Sequence, residues 1–164
     1  MINIKDDAKK YEDYVISLRH EFHRHPELSD QEFWTCERIE KELDDMGLPY
    51  ERVGGTNIVA LLDTGKPGKT IALRADIDAL PVQEEADVEF KSEIDGCMHA
   101  CGHDTHAAML LGAARILCDH KDELTGKVYL CFQKGEEIGH GAKDIVEYLK
   151  SKGEIGRASC RERV

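Results

Sequence analysis

Three short apolar runs alternate with helical patterns along this chain, and this alternation restricts the possible folds more than any other feature. The runs are NIVALL at 57–62, TIAL at 70–73 and KVYLCF at 127–132. Each is bounded by turn-forming residues, such as TGKPGK between the first two, which is typical of buried strands. Strands that alternate with helices predict an α/β fold, a three-layer sandwich with a mostly parallel central sheet.

The helical segments are recognised by apolar residues that recur every three or four positions. We expect a first helix over 5–24 and a second that Ser29 and Glu32 open as a capping box and that Gly47 closes. Two further helices are expected, over 105–118 and 141–149. The residues expected to face the core are Tyr11, Val15, Leu18 and Phe22 in the first helix, Phe33, Cys36, Ile39 and Leu43 in the second, and Ile145, Val146 and Leu149 in the last.

The composition excludes several classes of protein. A formal charge of −11 argues against nucleic acid or an anionic membrane as a partner, because both repel an acidic surface. The chain contains no apolar run of about 18 residues that could span a bilayer, and its first residues lack the apolar stretch of a secretory signal. Six cysteines in 164 residues are too few for a disulfide-stapled scaffold. These features favour a cytoplasmic protein with a single core.

Three clusters of polar residues follow a predicted strand or precede a predicted helix. They are RADID at 74–78, CGHD at 101–104 and GEE at 135–137. Ligand sites of open α/β sheets collect at the carboxyl ends of the strands, so we expect the three clusters to meet at one edge of the sheet.

The side chains of these clusters suit a metal-dependent hydrolase. The Cys101 thiolate and the His103 imidazole are preferred ligands of zinc-like cations, and the start of the following helix favours the thiolate form. Two adjacent glutamates are usually a solvated surface. Beside a metal, however, one of Glu136 and Glu137 could bind the cation while the other deprotonates a water molecule.

The aspartates of the first cluster have two interpretations that the sequence leaves open. Asp76 and Asp78 are two positions apart and could share one face of a strand end, where one could orient a metal-binding group. Equally, both could accept hydrogen bonds from loop amides at a capped strand end. His99 and His106 are expected to be structural or supporting residues rather than ligands.

Taken in order, the motifs resemble those of a known family. LRH through HPEL at 18–28, ALRADIDALP, GCMHACGHDTHAAMLLGAA and CFQKGEEIGHGAK are similar to the amidohydrolase branch of the aminoacylase and carboxypeptidase-type dinuclear metallopeptidases. The resemblance implies that Cys101 bridges two metals, that His103 and Glu137 are metal ligands, that Glu136 is the general base and that Asp78 orients a ligand. It also implies hydrolysis of the amide bond of a small N-acyl amino acid.

The same resemblance implies features of the whole enzyme. Two divalent ions per full-length subunit are expected, of zinc, manganese, cobalt or nickel. An inserted lid domain, which we expect to be absent from this chain, is expected to join full-length subunits into a homodimer or homo-oligomer. The family usually has Pro-Ala where this chain has Lys134-Gly135, and its further histidine ligands have no counterpart after His140. We therefore interpret 1–152 as the amino-terminal part of a catalytic domain and 153–164 as a non-native or disordered tail, and expect weak catalysis from this chain.

Two alternatives are weighed against this hypothesis. A non-catalytic zinc-binding module could use Cys97, His99, Cys101 and His103, although these ligands are crowded and would not require Glu136. A cysteine hydrolase with Cys101 as nucleophile fits poorly, because His103 is too near in sequence to face it as a base and no third orienting group is evident.

Overall fold

A computed structural model of the protein describes residues 3–153, so the predicted tail from 154 onward lies outside the described residues. In chain order the helices and strands are α1 (Ile4–Lys10), α2 (Glu12–Arg24), α3 (Phe33–Asp45), β1 (Tyr50–Val53), β2 (Asn57–Asp63), β3 (Thr70–Asp76), α4 (His103–Asp119), β4 (Lys127–Gln133) and α5 (Ala142–Ser151). Single 3₁₀ turns lie at Lys121–Glu123 and Glu136–Ile138. The three strands expected from the apolar runs are all present, and β1 is an additional strand that the sequence did not predict.

The four strands form one sheet in the order β1-β2-β4-β3. Only β3 and β4 pair in parallel, whereas β1 with β2 and β2 with β4 are antiparallel. The expectation of an α/β fold is confirmed, but the expectation of a mostly parallel sheet is wrong for the described residues. The reason is the connections: the short turn after Val53 permits only an antiparallel hairpin, while the long connection through α4 allows β3 and β4 to run in parallel.

Helices cover both faces of this sheet. Residues of α2, α3 and α4 pack with Ile58, Leu130 and Phe132 in the larger core. On the opposite face, Ile145 of α5 packs with Val59 and Tyr129 in a smaller core. The three expected layers are therefore present, and the sheet is held between them with its strand ends at the rim.

Several details of the helices differ from the expectations. The segment expected as one helix over 5–24 is two helices that meet at Tyr11, whose hydroxyl donates a 2.7 Å hydrogen bond to Asp119 at the end of α4. Phe33 and Val146, expected in the core, are 57% and 46% exposed. Each lies at the margin of its helix's apolar face, where periodicity alone does not separate core from surface.

The start of α3 shows why the predicted capping box is absent. The helix begins at Phe33, and the carboxylate of Glu27 accepts hydrogen bonds from the backbone amides of Trp34 and Thr35 at 3.0 and 2.8 Å. Glu27 therefore caps the helix, and the side chains of Ser29 and Glu32 turn instead to other parts of the molecule. The end of α3 is as predicted, with Gly47 at φ 67° just beyond it.

None of the helices within residues 3–153 combines the length and the apolar character that a membrane crossing requires.

Candidate metal centre

The three polar clusters meet at one edge of the sheet, as the sequence predicted. Since β3 and β4 are parallel, the residues after Asp76 and after Gln133 leave the sheet side by side. The amide of Ile77 donates a 3.0 Å hydrogen bond to the carbonyl of Gln133 and continues this pairing. The amino end of α4 brings the third cluster to the same place, because the ring of its first residue, His103, contacts Asp78.

His103 and Asp78 form a buried, hydrogen-bonded pair at this edge. Nδ1 of His103 lies 2.9 Å from the carbonyl oxygen of Asp78 and 3.2 Å from its Oδ1, so we assign the ring proton to Nδ1. Burial by itself lowers the pKa of His103, but the hydrogen bond to Asp78 and the charges of Asp76 and Asp78 outweigh it and raise the pKa. The ring is therefore oriented by Asp78, and its Nε2 faces the glutamate pair.

Asp78 is itself buried and fully engaged. Its Oδ2 accepts hydrogen bonds from the hydroxyl of Ser29 at 2.7 Å and from the amide of Glu137 at 3.0 Å. Burial by itself would raise the pKa of Asp78, but the hydrogen bonds from His103, Ser29 and the Glu137 amide lower it overall. Asp78 therefore combines the two roles that the sequence left open, since it orients a ring and also accepts a bond from a loop amide.

The two glutamates lie in a 3₁₀ turn directly after β4. Oε2 of Glu136 and Oε1 of Glu137 lie 3.8 and 3.9 Å from Nε2 of His103. Gly135, which precedes them at φ 58°, adopts the left-handed conformation that L-residues avoid. The turn therefore presents both carboxylates to the free nitrogen of the same imidazole.

Cys101 contacts this group from the loop before α4. Its exposed thiol is hydrogen-bonded to the side chain of Glu137, and this bond, burial and the nearby carboxylates raise its pKa to about 11. The expectation that the helix start favours the thiolate is therefore wrong for the metal-free chain. The partial charge of the helix end is outweighed by the full charges of the neighbouring carboxylates.

The donor atoms at this edge fit a divalent cation. One nitrogen of His103 and one oxygen each of Glu136 and Glu137 all lie within 4.8 Å of one another. Among the described residues, Oε1 of Glu137 is buried without a hydrogen-bond partner, which is a costly state for a carboxylate oxygen. Imidazole and carboxylate are ligands that zinc, manganese, cobalt and nickel all accept.

A second group of possible ligands shares His103. Asp76, His103 and His106 also have donor atoms within 4.8 Å of one another. Asp76, however, forms a short ion pair with Arg74, and Nδ1 of the half-exposed His106 lies 3.7 Å from Asp76 Oδ2. An arginine offsets part of the charge of Asp76, so the group around Glu136 and Glu137 fits a cation better.

The four-ligand zinc module considered as an alternative does not match this arrangement. Cys97 is buried, with its sulfur 3.5 Å from the carbonyl of Pro26, and His99 is buried without a hydrogen-bond partner for either ring nitrogen within residues 3–153. Neither Cys97 nor His99 belongs to the two groups of possible ligands found in the described part of the chain, and the structure does not bring Cys101, the expected bridging ligand, into either group.

Sequence reasoning missed the residues that support the site from outside the motifs. Ser29 and Glu32 were assigned to a helix cap, yet Ser29 bonds to Asp78, and Glu32 accepts a 3.0 Å hydrogen bond from the Gly135 amide. At the start of β2, Asn57 accepts a 2.9 Å bond from the Lys134 amide. No periodic or motif signal marks these contacts, since they join segments far apart in the chain.

Comparison with known proteins shows the family to which the chain belongs. The pattern of peptidase family M20/M25/M40 matches residues 72–160, more than half of the chain, and includes all three polar clusters. The chain belongs to this family. A dinuclear metal-binding peptidase of this family from Bacillus subtilis has a similar structure, with a TM-score of 0.80 and 41% identity, covering 85% of this chain and 39% of the other.

Two relatives show the range of proteins to which the chain is similar. It is 49% identical over 148 residues to thermostable carboxypeptidase 2 of Saccharolobus solfataricus, covering 88% of this chain and 38% of the relative. It is 42% identical over 149 residues to an N-acyl-L-amino acid amidohydrolase of Geobacillus stearothermophilus, covering 87% of this chain and 40% of the relative. The chain thus spans about two fifths of the length of these members of peptidase family M20/M25/M40.

Proposed function

We propose that this chain carries part of the metal centre of an amidohydrolase that cleaves the amide bond of N-acyl amino acids. The observation that supports this most directly is the position of His103, with Nδ1 held by Asp78 and Nε2 3.8 and 3.9 Å from Glu136 and Glu137. The membership of the family and the similarity to a protein named as an N-acyl-L-amino acid amidohydrolase support the same reaction class.

In this proposal the side chains have separate roles. Cys101, His103 and Glu137 are the metal ligands. A divalent ion bound there would supply Lewis-acid activation of a water molecule. Glu136 accepts the proton of that water and passes it to the leaving amine, and Asp78 keeps the His103 ring in the orientation in which Nε2 can bind. Two ions of zinc, manganese, cobalt or nickel per full-length subunit are part of the proposal.

The proposal extends to the full-length protein only through its relatives. We propose a cytoplasmic homodimer or homo-oligomer that is joined by a lid domain and acts on a small N-acyl amino acid. The acidic composition disfavours nucleic acid and anionic membranes as partners. It is consistent with a protein whose partners are a small substrate and further copies of itself.

Metal binding by defined variants tests the proposed roles. Zinc binding to the chain is measured by equilibrium dialysis for the wild type, Glu136→Gln, Glu137→Gln and the exposed control Glu85→Gln. We expect Glu137→Gln to bind at least about tenfold more weakly, because it loses a charged ligand, and the other two variants to bind like the wild type. Equal binding by all four proteins would contradict the proposal.

A hydrolysis assay distinguishes the proposed general base, Glu136, from the proposed metal ligands. The same proteins are incubated with zinc and a panel of N-acetyl and N-benzoyl amino acids, and the released amine is quantified. We expect slow zinc-dependent release by the wild type and by Glu85→Gln, and a loss of about 100-fold or more in Glu136→Gln although it retains metal. A structural zinc module would instead be indifferent to Glu136→Gln.

A further inference from the structure

The segment between α2 and α3 contacts both loops that form the candidate metal centre. We call residues 28–32 the bridging segment. Leu28 forms an isolated parallel bridge with Ala79, and the amide of Ala79 donates a 2.8 Å hydrogen bond to the carbonyl of Glu27. The backbone of the bridging segment is therefore attached directly beside Asp78.

One side chain of the bridging segment reaches the loop after β3. The hydroxyl of Ser29 donates a 2.7 Å hydrogen bond to Oδ2 of Asp78. The same oxygen accepts the 3.0 Å bond from the amide of Glu137, while Oδ1 lies 3.2 Å from Nδ1 of His103. Ser29 thus helps to fix a carboxylate that contacts both halves of the site.

Two other side chains reach the loop after β4. Oδ1 of Asp30, which has the left-handed φ of 64°, lies 2.7 Å from Nζ of Lys134. The fully buried Glu32 accepts hydrogen bonds from the amide of Gly135 at 3.0 Å and from the hydroxyl of Thr56 at 2.5 Å. Burial raises the pKa of Glu32, although the hydrogen bonds from Thr56 and Gly135 act in the opposite direction.

These contacts have a common geometric result. Asp30 and Glu32 hold the residues immediately before Glu136, and Ser29 holds the aspartate that orients His103. The bridging segment therefore connects the loop that carries Asp78 with the loop that carries the glutamate pair, although it contributes no atom to either group of possible ligands.

We propose that Ser29 and Glu32 are positioning residues of the metal centre, which hold the His103 ring and the Glu136–Glu137 turn at the spacing that a divalent ion requires. This inference rests on the proposed function for its purpose, but its structural content does not depend on a bound metal. Neither residue touches the reacting atoms, so both act through Asp78 and Gly135.

The first test uses the metal-free chain. Amide hydrogen exchange of peptides covering 134–140 is measured by mass spectrometry for the wild type, Ser29→Ala, Glu32→Ala and the control Thr64→Val. Thr64 is a suitable control because its hydroxyl donates a comparable 2.8 Å bond to the Gly126 carbonyl, where β2 ends. We expect about fivefold faster exchange in Ser29→Ala, which loses one hydrogen bond, and a larger increase in Glu32→Ala, which loses two. Exchange in Thr64→Val should not change.

The second test measures cobalt binding and its visible absorption spectrum. We expect cobalt affinity to fall about five- to tenfold in Ser29→Ala with an altered spectrum, and to be restored by Ser29→Thr, which keeps the hydroxyl. Glu32→Gln should likewise retain most of the affinity, because its amide oxygen can still accept from Gly135. Thr64→Val should bind like the wild type even if it is less stable.

The outcomes distinguish this inference from the proposed function. If Ser29→Ala leaves both the exchange of 134–140 and the cobalt affinity at wild-type values, the positioning role is overturned. If the wild type binds no cobalt, the proposed function fails, while the exchange experiment still decides whether the bridging segment holds the glutamate turn. Should Glu32→Ala fail to fold, Ser29→Ala decides the positioning role, with Ser29→Thr as its rescue.

Discussion

Two buried clusters of charged side chains in this molecule are built in opposite ways. On the helical layer, Glu42 accepts hydrogen bonds from Arg38 at 2.7 Å, from Arg115 at 2.8 Å and from the hydroxyl of Tyr14 at 2.6 Å. At the edge of the sheet, the carboxylates of Asp78, Glu136 and Glu137 surround a single imidazole. In the first cluster two cations face Glu42, and Arg38 also bonds to Glu21 at 2.9 Å. The second cluster gathers anions around one titratable ring.

The difference shows which cluster is complete without a ligand. Burying a carboxylate is costly unless cations and hydrogen bonds compensate it, and the Glu42 cluster meets this requirement from its own side chains. The sheet-edge cluster leaves Oε1 of Glu137 without a hydrogen-bond partner among residues 3–153. A bound cation would supply the missing compensation, so we interpret the Glu42 cluster as structural and the sheet-edge cluster as a metal site.

The largest expected effect is the loss of stability when the Glu42 cluster is disrupted. Glu42→Gln should lower the free energy of unfolding by about 3 kcal/mol, because it removes the charge that faces the partly buried Arg115 and one of the two carboxylates that Arg38 contacts. Urea denaturation measures the change, and the exposed Asp45→Asn on the same helix, expected to change stability by less than about 0.5 kcal/mol, is the control. A loss no larger than that of the control would show that the Glu42 cluster is not a stabilising unit.

The next effect is stabilisation by bound zinc, which should depend on the sheet-edge cluster and not on the Glu42 cluster. Zinc at 100 times its dissociation constant should raise the free energy of unfolding by about 2.7 kcal/mol, less any binding to the unfolded chain. At the same zinc concentration Glu42→Gln should show the same increment from a lower starting value, whereas Glu137→Gln, with at least about tenfold weaker binding, should lose about half of it or more. Equal increments in Glu137→Gln and the wild type would remove the distinction between the clusters.

A smaller effect reports the charge around Cys101. Its thiol, with a pKa raised to about 11, should react slowly with iodoacetamide at pH 9, because little thiolate is present. Glu137→Gln removes the group that contributes most to this shift, so we expect alkylation of Cys101 to become about tenfold faster, as mass spectrometry of the modified peptide would show. Glu85→Gln is the matched control, and an unchanged rate in Glu137→Gln would contradict the thiol–carboxylate contact.

The smallest effect is a difference in pH dependence between the clusters, measured in a chelator. Burial raises the pKa of Glu42, but its bonds to Tyr14, Arg115 and Arg38 lower it overall, so its stabilisation exists above the unfolded-state pKa and is lost as pH falls through the folded-state pKa. For Asp76, burial raises the pKa despite Arg74, so protonation on acidification relieves a penalty.

Glu42→Gln and Asp76→Asn should therefore change the loss of stability at acidic pH in opposite directions. Below about pH 5, urea denaturation should show a flatter loss of stability in Glu42→Gln and a steeper loss in Asp76→Asn than in the wild type. Changes of the same sign in both variants would mean that the two carboxylates do not differ in the way their surroundings indicate.

Much of the fold was predictable because each element carries its own pattern. The apolar runs that became β2, β3 and β4 and the position of Gly47 after α3 depend on local burial and backbone conformation. The site motifs were predictable for the same reason, since the side chains of Asp78, Cys101, His103, Glu136 and Glu137 have recognisable chemistry wherever they meet.

What the sequence alone determined is therefore most of the elements, without β1 and the break at Tyr11, and the chemical groups at their ends. Only the tertiary structure decided that β4 lies between β2 and β3, that Glu27 caps α3, and that Ser29 and Glu32 hold the two site loops. It also decided the raised pKa of Cys101, which arises from Glu137, 36 positions away in the chain. The physical reason is that periodicity records how each residue meets the core, whereas strand order, hydrogen-bond partners and electrostatic fields depend on which distant segments become neighbours.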